Sequence, residues 1–347
     1  MSEGYENPQR DVNVNEYVSL MSPQDAYREV PSKCSDHVLN SRKVIQNIMD
    51  GLDNRKIVVI GPCSIHDPEA ALDYAKRLYQ LSKQYSDKLF IVMRTYFEKP
   101  RTITGWKGLL YDPYMDSTND INLGIIIVRQ LLSDINEIGL PCACEFLDPN
   151  MPQYYADFIS WGAIGARTTE SQIHRQMASG LSCPIGFKNS TSGSVKYPIY
   201  SIKSCAATHT FPGIDTNGRA CVVNTKGNKY CHIVLRGSDK GPNYHTVQEV
   251  IEELKTNNLP KNRIMIDCSH GNSNKCHINQ INVWNDINQN YLTSHGVLGI
   301  MIESNILGGN CNISECKESI NRGRSVTDKC IDWEATTRLL EQTYKAL

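Results

Sequence analysis

Eight short apolar runs recur along the chain, and in the segments between them the apolar residues fall at helical spacing. The runs are KIVVIGPCS, KLFIVMRTY, LPCACEFLD, WGAIGARTT, CPIGFKNS, YCHIVLRGS, RIMIDCSHG and VLGIMIES. Segments such as PEAALDYAKRLYQLSKQY, INLGIIIVRQLLSDINEIG and YHTVQEVIEELKTNN lie between them, and DWEATTRLLEQTYKAL closes the chain. Their apolar residues repeat every three to four positions, as on one face of a helix. Near-continuous apolar strands are buried on both faces, which is how parallel strands covered by helices read. The pattern therefore predicts an α/β fold, a (β/α)8 TIM barrel.

Two segments exceed a minimal barrel. Residues 1–50 form an N-terminal extension with helix signals at SPQDAYREV and SDHVLNSRKVIQNIMDG. Residues 195–228, rich in Tyr, Thr, Gly and Asn, read as an inserted β-hairpin between strands five and six. Residues 51–347 otherwise make up the barrel.

Composition removes several classes of function. Lys plus Arg number 36 and Asp plus Glu 37, so no overall field draws nucleic acid or an anionic membrane. No run nears the ~18 apolar residues of a membrane span, and the N-terminus has neither a basic nor an apolar leader region. The expected location is the cytoplasm. The 13 cysteines are scattered and read mostly as reduced core residues rather than a disulfide framework. Cys142 and Cys144, two apart on one strand, share a face and read as core.

Each run ends in, or is closely followed by, a residue able to do chemistry: Cys63, Arg94, Glu145, Arg167, Lys188, Arg236, His270 and Glu303. In a barrel these ends converge on one mouth. Arg94, Lys99, Arg101, Arg167, Lys188 and Arg236 would crowd positive charge there, which is stable only around a multiply charged anion. The mouth therefore expects phosphate and carboxylate groups, on more than one substrate. Cys63, His270, Glu303 and Asp328 offer a thiolate, an imidazole and two carboxylates. That donor mixture suits one divalent metal ion, Mn, Fe, Co or Zn, better than Mg or Ca.

The stretches GPCSIHD, RTYFEKPRTITGWKGLLYDP, CEFLDP, GARTTESQIHRQMASGLSCPIGFKN, LRGSDKGPNY, IDCSHGNSNK and GIMIESNILGGN resemble type I 3-deoxy-D-arabino-heptulosonate 7-phosphate (DAHP) synthase, from about residue 15 to the end. The resemblance implies an aldol-like condensation of phosphoenolpyruvate with D-erythrose 4-phosphate, the first step of the shikimate pathway towards the aromatic amino acids. It implies metal binding by Cys63, His270, Glu303 and Asp328. It assigns phosphoenolpyruvate to Arg94, Lys99, Arg167, Lys188 and Arg236, with Lys99 also facing the aldehyde, and erythrose phosphate to Arg101 and Thr102. Lys99, Glu145, Cys63 and His270 stand nearest the chemistry. Gly271, where the family often has alanine, and the Asn-rich ESNILGGNCN depart from the family pattern beside the metal donors.

The resemblance also implies feedback inhibition by an aromatic amino acid, phenylalanine or tyrosine before tryptophan, at a remote pocket. The N-terminal extension and the hairpin, with Gln153, Ala156, Leu181, Ser182 and Phe211, would form it, partly with a neighbouring subunit of a homo-oligomer, dimer or tetramer. Two other readings compete. An octulosonate phosphate synthase shares barrel and reaction type but does not account for KPRT or for the length of the extension. A non-catalytic phosphate-binding regulator would be expected to have lost a metal donor or Lys99, and both are retained.

Overall fold

The computed structural model describes residues 11–293, 296–316 and 319–347. The first ten residues of the expected N-terminal extension lie outside the described residues.

All eight apolar runs are strands, and they close a parallel barrel. In chain order the strands are β1 (Lys56–Gly61), β2 (Leu89–Arg94), β3 (Cys142–Glu145), β4 (Ile159–Ile164), β5 (Ile185–Lys188), β6 (Thr210–Ile214), β7 (Ala220–Asn224), β8 (Cys231–Leu235), β9 (Ile264–Asp267) and β10 (Val297–Glu303). Around the barrel the order is β1-β10-β9-β8-β5-β4-β3-β2, with β1 closing against β2, while β6 and β7 form a separate antiparallel hairpin. The helices are α1 (Pro23–Glu29), α2 (Ser35–Asp50), α3 (Pro68–Gln84), α4 (Ile121–Ile138), α5 (Pro152–Tyr155), α6 (Gln172–Gly180), α7 (Lys196–Cys205), α8 (Val247–Thr256), α9 (His277–Asn290), α10 (Ile313–Cys316) and α11 (Trp333–Ala346).

Local sequence explains the boundaries. Ser22 and Asp67 accept the free backbone N–H groups that open α1 and α3, and a proline follows each at the first helical position. Gly51 and Gly139 end α2 and α4 in the left-handed conformation, which costs a side-chain-free residue little. None of the described helices is long and apolar enough to cross a membrane.

Two cores result. One lies between strands and helices; the other fills the barrel with Ile57, Val59, Val92, Trp161, Met265 and Met301. Ile45, Ile48 and Met49 of α2 join the inner core. Asn262 donates to the Met49 carbonyl, and Asp50 meets Arg263 and Tyr230, residues that lie just before β9 and β8. This part of the extension therefore closes the amino-terminal end of the barrel. The segment read as an insertion divides. Residues 196–205 form α7, which covers the barrel despite a Pro and two Tyr, and the hairpin proper spans 210–224.

Candidate active site

At the carboxyl ends of the strands lies a cleft of about 390 Å³, lined by Arg94, Lys99, Arg101, Thr102, Glu145, Arg167, Lys188, Arg236, His270 and Asp328 among others. The barrel thus brings both polar sets of the sequence to one mouth. Arg101, Thr102, Arg167 and Asp328 are exposed at its rim, while Arg94, Glu145, Lys188 and Arg236 are buried in its floor.

Arg94, at the end of β2, is fixed underneath. Its guanidinium donates to Glu303 Oε1 at 2.7 Å and to the carbonyls of Pro62 and Cys63, and lies 3.5 Å over the Tyr96 ring. Breaking such a buried pair from one side costs about 3–5 kcal/mol, so Arg94 also secures the Glu303 carboxylate. Lys99 Nζ stands 3.1 Å from the Cys63 carbonyl and 3.3 Å from its Sγ. Burial penalises the Lys99 charge, but Cys63 and Glu303 outweigh that and raise its pKa, so the ammonium persists at neutral pH.

The last residue of β9, Asp267, was not among the residues that the sequence singled out. It is fully buried and lies 3.2 Å from Lys188 Nζ and 3.0 Å from His270 Nδ1. Both are close approaches, and neither Asp267 Oδ2 nor His270 Nδ1 has a hydrogen-bond partner among the described residues. Burial would push the Asp267 carboxyl up; His270 and Lys188 overcome this and hold it well below the usual carboxylate range. The signal was present in IMIDCSHG, where the acid, not the histidine, ends the apolar run. Lys275, with a left-handed φ of 59°, also lines the cleft and was missed.

Cys63 Sγ and carboxylate oxygens of Glu303 and Asp328 all lie within 4.8 Å of one another. His270 stands beside this trio, with Nε2 4.0 Å from Glu303 Oε1. Its other nitrogen faces Asp267, the usual way a carboxylate orients a metal-binding imidazole. Burial and the Glu303 charge push the Cys63 thiol up, whereas Arg94 and His270 hold the Glu303 carboxyl below its ordinary value against its own burial. A thiol, two carboxylates and an oriented imidazole fit a divalent transition metal. A further polar atom of the floor, Arg236 Nε, is buried without a partner among the described residues, as expected of a group that awaits an anion or water.

A second cavity, about 620 Å³, is lined by Pro23, Gln24, Tyr27, Arg42, Arg129, Pro152, Gln153, Ala156, Asp157, Ser182 and Thr216. Gln153, Ala156 and Ser182 come together here. Leu181 packs against the core and Phe211 lies half-buried on β6; neither lines the cavity.

The model of the DAHP synthetase I family matches residues 31–341. The chain is 50% identical over 314 residues to phospho-2-dehydro-3-deoxyheptonate aldolase of Haemophilus influenzae, covering 89% of this chain and 86% of that protein. It is 48% identical to the Phe-sensitive enzyme of that name in Escherichia coli K12, over 97% of each chain. Relatives named as Tyr-sensitive and Trp-sensitive also match. The solved structure of phospho-2-dehydro-3-deoxyheptonate aldolase from Francisella tularensis superposes with a TM-score of 0.93 at 46% identity, covering 96% of this chain and 98% of that one. With a family match across the barrel and relatives this similar, the chain belongs to the DAHP synthetase I family.

Proposed function

We propose that the barrel mouth condenses phosphoenolpyruvate with D-erythrose 4-phosphate and water to give DAHP and inorganic phosphate. The observation that carries this reading is one cleft holding several cationic side chains beside a thiol, carboxylate and imidazole donor set. C3 of phosphoenolpyruvate attacks the aldehyde carbon, water adds at C2, and phosphate leaves by C–O cleavage. Cys63, Glu303, Asp328 and His270 would hold one divalent Mn, Fe, Co or Zn ion. When bound, the ion supplies Lewis-acid polarisation of the aldehyde oxygen.

The protein's own groups account for the rest. Arg167, Lys188 and Arg236 receive the phosphate and carboxylate of phosphoenolpyruvate, and their fixed positions favour the near-attack geometry. Arg101 and Thr102 at the rim hold the phosphate of the aldose. Lys99, charged and beside Cys63, donates a proton to the alkoxide that forms on the aldehyde oxygen. Glu145 stands close to the reacting centre, and Gly165 leaves it room: a Cβ there would lie 2.2 Å from Glu145 Oε1.

The second cavity is read as the effector site for phenylalanine or tyrosine, before tryptophan. The Tyr27 ring and Pro152 suit an aromatic side chain, and the Asp157 carboxylate, paired with the buried Arg129, suits an ammonium group. Residues 11–20 lie exposed, with Val12, Tyr17 and Val18 more than 70% accessible, a segment suited to adding itself to a second copy in a dimer or tetramer. Cytoplasmic residence agrees with 13 free cysteines.

The test is a condensation assay with both substrates. Treatment with a chelator is expected to abolish phosphate release, and added Mn²⁺ or Co²⁺ to restore it. Full turnover in the chelator, or equal turnover with arabinose 5-phosphate, overturns the assignment.

A further inference from the structure

Three buried asparagines lie behind the mouth, on the loops after β5, β8 and β9. Asn189 follows Lys188, Asn272 follows His270 by two residues, and Asn243 belongs to neither strand nor cleft. Their amides form one continuous network. Asn189 Oδ1 accepts the Arg236 backbone N–H at 2.8 Å and Asn243 Nδ2 at 3.1 Å. Asn243 Oδ1 accepts the Gly237 N–H at 2.8 Å, and Asn243 N–H donates to Asn272 Oδ1 at 2.8 Å. Asn272 Nδ2 then donates to the carbonyls of Leu235 and Asp267 at 3.0 and 2.8 Å. Gly237 has a left-handed φ of 74°, and a Cβ on it would lie 2.2 Å from Asn272 N, so these backbones touch directly. Gly271 is equally tight, with a Cβ position 2.3 Å from Ser238 N.

Networks of satisfied buried amides hold a single backbone arrangement, because losing one partner leaves another polar group orphaned in a low dielectric. We propose that Asn243 is a positioning residue that fixes the backbone turn from which Arg236 reaches the phosphoenolpyruvate subsite, without itself touching substrate. This rests on the assignment of Arg236 to that subsite. Asn243 is the member whose side chain joins the loop after β5 to that after β8, and whose backbone joins both to the loop after β9.

Asn243→Asp tests it. The carboxylate keeps the Gly237 contact but replaces the donor to Asn189 with a second acceptor. The expected result is a KM for phosphoenolpyruvate raised about 10-fold, the effect of one lost buried hydrogen bond, with the KM for erythrose 4-phosphate changed less than about 3-fold. The new acid, buried against an acceptor, binds its proton tightly, and its protonated form regains the donor. Lowering the pH from about 8.5 to 6 should therefore bring that KM back towards the parent value. Arg236→Ala, measured alongside, must itself raise the same KM. If Arg236→Ala leaves it unchanged, the subsite assignment and the proposal with it fall. If Arg236→Ala raises it and Asn243→Asp does not, or Asn243→Asp lowers only kcat, or raises both KM values equally, the assignment stands and the positioning role is overturned. Should Asn243→Asp not fold, Asn243→Ser, uncharged and too short to span both partners, takes its place with the same expected KM split and the same overturning results.

Discussion

Glu98 sits between Phe97 and Lys99, only 1% exposed, and its carboxyl accepts a hydrogen bond from the Tyr155 hydroxyl. Burial pushes that carboxyl from about 4.5 up to about 8, with Tyr155 and the Asp148 N–H opposing and the charges of Asp148 and Glu145 adding to the rise. A folded state that keeps a proton the unfolded chain has lost is favoured at low pH. The stability contribution is therefore fully present below about pH 4.5 and is lost progressively as pH rises towards 8. Glu98→Gln keeps the acceptor for Tyr155 and removes the titration. Relative to the parent, the variant should gain stability from pH 5 to 8, by at most about 4 kcal/mol at ~1.36 kcal/mol per pH unit. Urea midpoints at several pH values check this; parallel profiles for the two proteins would contradict it. At this scale the sequence was legible where a charged residue closes an apolar run, as at Arg94, Lys188 and Glu303. The same signal stood at Asp267, where the neighbouring His270 drew the assignment instead; Glu98 and Asn243 carry no such signal, because their roles depend on what folding places opposite them. The proposed metal donors show the same limit: Cys63, Glu303 and Asp328 meet, while His270 stands a step away with Nδ1 facing Asp267.

Strands and helices were the most readable level, because continuous apolar runs and a 3.6-residue period survive any tertiary arrangement. What periodicity could not tell was how the elements seal. β10 joins β1 with Gly299 opposite Ile57, and the β10–β9 register shifts between Val297 and Gly299. A Cβ on Gly299 would lie 1.9 Å from the Ile57 carbonyl oxygen, a backbone atom that cannot rotate away. Glycine in a strand marks such a close approach. Gly299→Ala should therefore pry β1 from β10, next to the strand ends that carry Cys63 and Glu303. The expected cost is about 3 kcal/mol, the upper end of the usual range for overpacked cores, because the clashing atom is backbone. Chemical denaturation is the check, and an unchanged midpoint would mean that the seam relaxes freely. The residue 195–228 segment was harder to read for a related reason. Tyr, Thr and Gly suggest strand and turn, yet burial of Ile199, Ile202 and Cys205 against the barrel draws its first part into helix.

At the scale of the whole molecule, the two additions to the barrel converge. α1 sets Pro23, Gln24 and Tyr27 on one side of the second cavity, and the hairpin connection contributes Thr216, whose carbonyl accepts the Gln24 N–H at 2.8 Å. α5 supplies Gln153, and Ala156, which follows the end of that helix, also lines the cavity. From α5, Tyr155 reaches Glu98, the neighbour of Lys99, so packed groups connect the cavity with the mouth. An inhibitor acts through such a connection only if it binds one arrangement better than the other, typically by about 1–3 kcal/mol. Ser182 lines the cavity, is exposed, and lies outside the catalytic cleft. Ser182→Phe should fill the cavity while β5, which begins at Ile185, keeps Lys188 in place. Inhibition by phenylalanine or tyrosine should weaken about 5-fold to 150-fold, with kcat retained. A chain starting at Met21 removes the exposed segment but keeps α1, whose Ala26 is buried and whose following residue Val30 receives Arg129. If a second subunit completes the cavity, this shortened protein should lose both its oligomeric mass in light scattering and its inhibition. If it loses neither, the segment is no part of the interface, and if Ser182→Phe is still inhibited at the parent concentration, the effector binds elsewhere.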